Sequence, residues 1–324
     1  MSTSRQSARI AVLVPCFNEE ATIGPVVRDF RKALPDSEVY VFNNASTDRT
    51  AAMAGEAGAK VVESPRKGKG HVVMHMFREV DAEWYLMVDG DSTYPAASAP
   101  DLLRVARETR ADMVIGRRVT PADELARAYR PMHQLGNRLV CGLIRATFAS
   151  PVQDVFSGYR VFSREFAKTV PLAATGFDTE VEMTLQALSK GYRVTEIDVP
   201  YTSRPSGSVS KLNTYRDGAR VLAAFFGILR DYRPLLFFGT LALILAVASL
   251  LAGMAPVIDY INYHYVYRVP LALLATGLGV LSALSASIGL ILQTQLRYHN
   301  EVFGLLRRTG FPGNGCGSDG NPAS

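Results

Sequence analysis

Two aspartates, Asp89 and Asp91, stand one residue apart in the segment WYLMVDGDSTYP, directly after the apolar run 84–88. The composition of that run is typical of a buried β-strand. Carboxylates at this spacing can hold Mg²⁺ or Mn²⁺ together with a diphosphate, because the cation needs several oxygen ligands and the diphosphate supplies some of them. Asp and Gly are also common in ordinary turns, so the position at the exit of a strand is what favours a metal site.

The elements that would position these carboxylates alternate along the chain. Short β-type runs lie at 10–14, 38–42, 60–62, 84–88 and 113–115, and segments of helical period lie at 23–32, 70–80 and 100–109. Such alternation predicts a parallel α/β sheet covered by helices, in which ligands bind beyond the carboxyl ends of the strands. Polar residues that follow three of the runs are expected to meet at that edge, namely Asn18 and Glu20, Asn43 and Asn44, and Asp89 and Asp91.

The section from 123 to 201 is less regular. A helical pattern at 123–148 precedes the loop SPVQDVFSGYR, and a helix that begins near Asp178 precedes a strand-like run at 192–199. We expect this section to complete the sheet and to build the second half of the site.

Two uncharged stretches, 235–258 and 269–292, follow the globular part. At about 1.5 Å per residue each can cross a hydrocarbon core of about 30 Å, which predicts two transmembrane helices and an integral membrane protein. The apolar run 10–14 is too short for a signal-peptide core, so the globular part is expected to stay in the cytosol. Cations lie before the first stretch and after the second, and by the positive-inside rule this indicates that both termini are cytosolic. These cations are Lys211, Arg216, Arg220, Arg230 and Arg233 before the first stretch and Arg297, Arg307 and Arg308 after the second.

The predicted organisation has four parts. They are a cytosolic domain at 1–210, an amphipathic interfacial helix region at 211–234, two transmembrane helices with a short non-cytosolic loop at 235–296, and a cytosolic amphipathic segment with a disordered tail at 297–324. The net charge is +5 at pH 7, and because cations cluster beside the membrane stretches, anionic lipid is the expected partner and nucleic acid is not. The three cysteines, Cys16, Cys141 and Cys316, are widely spaced and form no metal pattern.

Seven segments, in this order along residues 9–233, resemble the family 2 glycosyltransferases with a GT-A fold. They are VPCFNEE, NNASTDRT, RKGKG, VDGDSTYP, QDVFSGYR, GFDTEVEM and SRPSGSVSKLNTYRDG. Within the family they are most similar to the polyprenyl-phosphate sugar synthases, such as dolichol-phosphate mannose and glucose synthases. The resemblance implies a GT-A nucleotide-sugar-binding domain with a Rossmann-like mixed sheet. It also implies metal-dependent, inverting transfer of a hexose from a UDP- or GDP-sugar to a polyprenyl phosphate, with Mg²⁺ or Mn²⁺ as cofactor.

The resemblance implies a donor side and a metal site. Residues expected to contact the nucleotide sugar are Pro15, Asn18, Glu20, Asn43, Asn44, Lys69, Asp89, Gly90 and Asp91. Asp89 and Asp91 are the expected metal ligands, with Asp91 the stronger. Asn43 and Asn44 stand where the family commonly has acidic residues near the base or ribose, which leaves the base preference open.

An acceptor side follows from the same resemblance. Asp154 matches an acceptor-side carboxylate and, with Asp91, is the expected catalytic residue. The expected acceptor-phosphate residues are Arg118, Arg138, Ser157, Arg160 and Lys211, and arginine suits this role because its planar fork binds phosphate oxygens in pairs. A surface ion pair is the alternative for Arg118 and Arg138. Glu180 and Glu182 lie two apart on a predicted helix and so point to different faces, and we expect one of them to function.

Other functions are weighed against this hypothesis. The sequence has no Walker loop, no Gly-x-Ser-x-Gly elbow, no His-Glu-x-x-His zinc motif and no Rossmann glycine fingerprint, which argues against NTPase, hydrolase and dehydrogenase activities. A polysaccharide or glycolipid synthase on the same fold remains an alternative, although the Gln-x-x-Arg-Trp motif of processive synthases is missing and the only tryptophan is Trp84. A non-catalytic membrane protein that binds nucleotide sugars is a third, disfavoured by the retained Asp89, Asp91 and Asp154. A homo-oligomer is left open.

Overall fold

The computed structural model describes residues 8–119, 131–172, 179–202 and 226–308. The chain divides into two compact units, Met1–Leu222 and Ala223–Ser324, which are considered separately. The first unit carries the sheet and the second carries the two long apolar helices.

Seven strands form one sheet in the order β3-β2-β1-β4-β6-β5-β7. The strands are β1 (Ala8–Cys16), β2 (Glu38–Asn43), β3 (Lys60–Glu63), β4 (Ala82–Met87), β5 (Met113–Val119), β6 (Arg160–Ser163) and β7 (Val194–Pro200). The sheet is mixed, because β6 pairs antiparallel with both β4 and β5 while the other pairs are parallel. The mixed sheet that the family resemblance implies is therefore confirmed. The alternation alone predicts a parallel sheet, and the one strand that departs from it, β6, is a strand that the pattern did not predict.

Helices cover both faces of this sheet. They are α1 (Ile23–Ala33), α2 (Thr50–Glu56), α3 (Lys69–Glu79), α4 (Ala99–Thr109), α5 (Pro131–Phe148), α6 (Arg164–Thr169) and α7 (Thr179–Ser189). Successive residues of the central strand β1 are buried, as expected for a strand with helices on both faces. Val12 belongs to the buried cluster that includes Val27 of α1 and Leu102 of α4. A second, aromatic contact joins Phe77 of α3 to Phe162 of β6, edge to face.

The less regular section folds largely as expected. Helix α5 begins at Pro131 in the described residues, and the first part of the helix predicted at 123–148 lies outside them. Helix α7 begins at Thr179 in the described residues, the predicted start near Asp178 lies outside them, and β7 follows the helix. Of the predicted interfacial region, only 226–234 is described, and residues 226–232 are helical.

The second unit is a hairpin of two helices, α8 (Pro234–Tyr263) and α9 (Val269–Arg308). Both are long and apolar enough to cross a membrane, and their large apolar side chains point mostly outward. Serines of the hairpin donate hydrogen bonds across it to backbone carbonyls, from Ser249 to Ala275 (2.7 Å) and from Ser282 to Ala242 (2.8 Å). The 40 residues of α9 would extend about 60 Å at 1.5 Å per residue, well beyond a hydrocarbon core of about 30 Å.

Candidate functional site

Strands β1, β2 and β4 end together at one edge of the sheet. Cys16 pairs with Asn43 in register, and the backbone N–H of Val88 donates to the carbonyl of Leu13 (3.1 Å). Because the three strands are parallel, the chain segments that leave them project into the same space. The polar residues predicted to meet beyond these strands are therefore close together, and Pro15 lies half-buried within β1 beside them.

Side chains of the segment after β1 bind the segment after β2. The Asn18 carboxamide oxygen accepts from the backbone N–H of Thr47 (2.9 Å), and a Glu20 carboxylate oxygen accepts from the backbone N–H of Arg49 (2.9 Å). The backbone N–H of Asn18 in turn donates to the hydroxyl of Ser46 (3.0 Å). Asn18 and Glu20, both predicted to contact the nucleotide, therefore also hold the two segments together.

Asn43 binds the last residue of β3, and Asn44 binds the segment between β3 and α3. The Asn43 amide donates to both carboxylate oxygens of Glu63 (3.1 and 2.9 Å). The Asn44 amide donates to the carbonyls of Ser64 (3.0 Å) and Arg66 (2.7 Å), and its oxygen accepts from the N–H of Gly68 (2.9 Å). An ionised aspartate could not donate to these carbonyls, which gives a physical reason for asparagine where the family commonly has an acidic residue.

Lys69 is the basic residue of the expected donor side. It begins α3 directly after Gly68, whose φ of 119° lies in the region that glycine adopts readily. The Lys69 ammonium lies 2.5 Å from Oδ1 of Asp89 and also pairs with Oε1 of Glu180 at the start of α7. Partial burial opposes the charge of Lys69, but the two carboxylates outweigh this effect and raise the pKa of Lys69 above its usual value.

Glu180 reaches this site from a part of the chain far from the Asp-x-Asp motif. Its side chain is 9% exposed, whereas Glu182 is half-buried and, two residues along the helix, points to a different face of α7. Of the two glutamates, the structure places Glu180 beside Lys69.

Neighbouring backbone and side-chain groups lie close to the carboxylates of Asp89 and Asp91. Oδ1 of the buried Asp91 accepts from both the backbone N–H (3.2 Å) and the hydroxyl (2.6 Å) of Thr93. A Cβ atom at Gly158 would collide with the Asp89 carboxylate, and one at Gly90 would collide with Glu19. The glycines of the VDGD and FSGY segments therefore let backbone approach the carboxylates closely.

Glu19 is a further carboxylate of the site that sequence reasoning missed. Its Oε2 is buried and has no hydrogen-bond partner among the described residues. Burial, followed by the negative charges of Asp91 and Asp89, raises the pKa of Glu19 to about 8. A conspicuous signal was available, since Glu19 stands between Asn18 and Glu20 in the segment FNEE.

The acidic side chains of the site could hold a hard divalent cation only together with oxygens of a bound diphosphate and water. Among the described residues, no group of three or more histidine, cysteine or acidic side chains could hold a metal by itself. Asp89 and Asp91 would supply carboxylate oxygens, and diphosphate oxygens and water would complete the coordination. The unpartnered Glu19 oxygen beside these acids fits a site where a cation offsets negative charge.

On the acceptor side, the predicted catalytic carboxylate and a predicted phosphate ligand bind each other. Nε and Nη2 of Arg118 each lie 2.7 Å from an oxygen of Asp154, and the backbone N–H of Arg118 donates to the same carboxylate (3.1 Å). The Arg118 guanidinium also lies over the ring of Tyr201, 5.4 Å from its centroid. Only 16% of the Arg118 side chain and 7% of the Asp154 side chain is exposed.

Two residues that the sequence did not single out position the Asp154 loop. Glu196 of β7 accepts hydrogen bonds from the backbone N–H groups of Gln153 (2.9 Å) and Asp154 (3.0 Å). Asn137 of α5 donates to the carbonyl of Gln153 (2.8 Å) and accepts from the N–H of Val155 (3.3 Å). In the sequence, Glu196 is one polar residue of a strand-like run, with nothing to mark it as a loop anchor.

Arg160 and Ser157 support the same loop from inside. Arg160 is fully buried and donates to the carbonyls of Ser157 (2.8 Å) and Val155 (2.7 Å), while the Ser157 hydroxyl donates to the carbonyl of Gly116 (2.6 Å). Because these groups are enclosed and already bonded, we assign Arg160 and Ser157 to loop support in place of the expected phosphate contact. Arg138 is exposed on α5, and Lys211 lies outside the described residues.

Comparisons with known proteins agree on the family and the fold. The family model described as Glycosyl transferase family 2 matches residues 11–170. Glycosyltransferase AglJ of Haloferax volcanii is 32% identical over 260 residues, which cover 80% of this chain and 83% of that protein. A dolichyl-phosphate hexose transferase of the same organism is 27% identical over 213 residues, covering 65% of this chain and 90% of that protein.

Solved structures are similar in fold. Glucosyl-3-phosphoglycerate synthase from Mycobacterium tuberculosis, in complex with Mn²⁺, UDP and phosphoglyceric acid, has a TM-score of 0.55 and 21% sequence identity. The match covers 68% of this chain and 78% of the synthase. At this identity the likeness shows a shared fold, which agrees with the mixed sheet of the first unit.

Proposed function

Because this chain belongs to glycosyl transferase family 2, we propose that it transfers a hexose from a UDP- or GDP-linked donor to a polyprenyl phosphate, with inversion and with Mg²⁺ or Mn²⁺. The observation that carries the proposal is the contact between the two halves of the site. The backbone N–H of Gly158, in the Asp154 loop, donates to the Tyr94 hydroxyl (3.1 Å), and Gly158 itself packs against the carboxylate of Asp89. A donor held at Asp89 and an acceptor held beside Asp154 would thus adjoin.

On the donor side, the diphosphate would lie against Asp89, Asp91 and Lys69. A cation held by the two aspartates would offset the charge that develops on the leaving diphosphate. The Lys69 ammonium would add a second positive group at the same place, with three N–H donors for phosphate oxygens.

On the acceptor side, the chemistry favours a lipid phosphate over a sugar hydroxyl. The second pKa of a phosphate monoester is about 6, so near pH 7 it is largely dianionic and already nucleophilic, whereas a hydroxyl needs a strong, well-placed base. A phosphate oxygen would attack the anomeric carbon as the bond to the diphosphate oxygen breaks, so nucleoside diphosphate leaves and the configuration inverts. Asp154 would orient the acceptor or take a residual proton, and it would share the Arg118 guanidinium with the phosphate. Arg138, exposed on α5, would supply further positive charge.

The helical hairpin suits an acceptor that lies in a membrane. A relative carries the name dolichyl-phosphate hexose transferase, which supports a polyprenyl phosphate as the acceptor here. The positive-inside rule favours a cytosolic first unit and cytosolic termini, with the loop between α8 and α9 on the far side. Cysteines introduced into that loop can be labelled with a reagent added outside intact cells, which tests this orientation. Protection of the loop cysteines from the reagent would contradict it.

A panel of substrates tests the proposed activity. The purified full chain is incubated with Mg²⁺ or Mn²⁺, undecaprenyl phosphate, and UDP-glucose, UDP-galactose or GDP-mannose in turn, and release of nucleoside diphosphate is measured. We expect release from at least one donor, and only when the lipid phosphate is present. Release that requires an oligosaccharide or a glycolipid in place of the lipid phosphate would favour a polysaccharide or glycolipid glycosyltransferase, and no release from any pair would favour a non-catalytic binding protein.

A further inference from the structure

We propose that Glu180 is a positioning residue of the donor site, which acts by holding the Lys69 ammonium beside Asp89 for the donor diphosphate. The inference rests on the proposed function and assigns a role to a residue on α7, far in sequence from the donor motifs. It is carried by three contacts around the first turn of α7.

The first contact is the bridge itself. The Lys69 ammonium touches a carboxylate oxygen of Glu180 and lies 2.5 Å from one of Asp89, so a single cation joins the start of α3, the Asp-x-Asp motif and the start of α7. The side chain of Lys69 is 34% exposed and that of Asp89 28% exposed, whereas that of Glu180 is only 9% exposed. Glu180 is thus the enclosed anchor of the group, and Asp89 and Lys69 face the open side.

The second and third contacts fix Glu180. The Thr184 hydroxyl donates to the backbone carbonyl of Glu180 (2.9 Å) and accepts from Nη1 of the buried Arg160 (2.8 Å). The positive charge of Arg160 also attracts the Glu180 carboxylate. Because Arg160 supports the Asp154 loop as well, the anchor of Lys69 is joined to the acceptor side through buried groups.

A lysine side chain has great rotational freedom, so its use for a phosphate depends on what restricts it. An ammonium has three N–H donors and can keep one bond to Glu180 while it turns others toward diphosphate oxygens. Loss of the Glu180 charge would release Lys69 and weaken donor binding. If Glu180 acted only through its charge, the effect on donor binding would be the opposite. Removal of a negative charge beside the anionic diphosphate should then strengthen donor binding.

The experiment measures binding and turnover with the full chain in detergent. UDP and GDP, each with Mn²⁺, are titrated by calorimetry into the wild type, Glu180→Gln and the matched control Glu182→Gln. We expect Glu180→Gln to weaken binding of whichever nucleotide the wild type binds by roughly tenfold, the scale of one charge-assisted hydrogen bond. Its KM for the nucleotide sugar should rise similarly while its KM for undecaprenyl phosphate stays unchanged, and Glu182→Gln should behave as wild type.

A double-mutant cycle separates positioning through Lys69 from a merely structural effect. If Glu180 acts through Lys69, the double variant Lys69→Gln with Glu180→Gln should bind nucleotide as Lys69→Gln does, with no further loss. Additive losses, or unchanged or tighter binding in Glu180→Gln, would overturn the inference. If Glu180→Gln does not fold, Glu180→Asp replaces it, since the shorter acid keeps the charge but withdraws it from Lys69, and wild-type binding in that variant would overturn the inference. A wild type that binds neither UDP nor GDP would instead refute the proposed function.

Discussion

The backbone N–H of Asp154 donates a 3.0 Å hydrogen bond to Oε1 of Glu196, so a carboxylate on β7 fixes the backbone of the predicted acceptor-side residue. The same glutamate accepts from the N–H of Gln153. Asp154 in turn binds the guanidinium of Arg118. The position of the Arg118–Asp154 pair therefore depends on a residue with no predicted chemical role.

Replacement of Glu196 tests this dependence. Glu196→Ala leaves two backbone N–H groups without their acceptor, and we expect it to lower the free energy of unfolding by about 1–3 kcal/mol and turnover by roughly tenfold. Glu196→Gln keeps a carbonyl oxygen for the same donors and should restore most of both. Thermal unfolding and steady-state kinetics measure the two effects. A glutamine variant as impaired as the alanine variant would show that the negative charge, and not the hydrogen bonds, is what matters.

Arg138 provides a test of the acceptor side. Arg138→Ala should raise the KM for polyprenyl phosphate by roughly tenfold or more, because loss of a hydrogen bond to a charged group costs about 1.5–3 kcal/mol, and should leave the KM for the nucleotide sugar unchanged. Arg145→Ala is the control, since Arg145 is an exposed arginine of the same helix two turns further along. Equal effects of Arg138→Ala on both substrates would count against a phosphate contact.

Metal dependence is expected to act through Asp91. Asp91→Ala should lower turnover by at least about 10²-fold, the scale seen when one electrostatic contact to a developing charge is lost. Asp101→Ala, at an exposed aspartate of α4, should have little effect. Excess chelator should abolish wild-type turnover and added Mg²⁺ or Mn²⁺ should restore it. Full activity in excess chelator would disprove the requirement.

The pKa of Glu19 predicts how stability depends on pH. Burial and the charges of Asp91 and Asp89 raise this pKa from its ordinary value of 4.5 to about 8, so between these values the folded chain binds more protons than the unfolded chain. The contribution of Glu19 to the free energy of unfolding should therefore be greatest below pH 4.5 and decline as the pH rises toward 8. Glu19→Gln should flatten this decline in melting experiments without metal or nucleotide, and Glu79→Gln, at an exposed glutamate, should not. An equal decline of stability with pH in Glu19→Gln and wild type would show that ionisation of Glu19 is not its cause.

The site residues that could be predicted best from the sequence are the polar residues that directly follow a strand. The runs before Asn18, Asn43 and Asp89 have the composition of strands, and the parallel topology then brings the polar residues together. Strand β6 was missed because its four residues, Arg160–Ser163, follow a polar loop and are too few to show a period. The resemblance supplied residue types for the acceptor side but could not tell an exposed arginine from a buried one.

Contacts between distant elements account for the rest. Whether Glu180 or Glu182 meets Lys69 depends on the rotation of α7 against the sheet, which a helical period alone does not fix. Arg160 could be predicted as a phosphate ligand only while its burial was unknown, because a buried guanidinium donates to the carbonyls around it. The position of Lys211 relative to the site lies outside the described residues.

The chemical identity of the lipid product tests the central proposal most directly. The purified chain is incubated with undecaprenyl phosphate, Mn²⁺ and the donor that the panel selects, and the lipid is extracted and examined by mass spectrometry and NMR. We predict a hexose joined to the lipid through a single phosphodiester, with the anomeric configuration opposite to that of the donor, and at least about 10²-fold less of this product from Asp91→Ala in the same time. A product with retained configuration, or a hexose found only on a sugar hydroxyl, would contradict the proposed reaction.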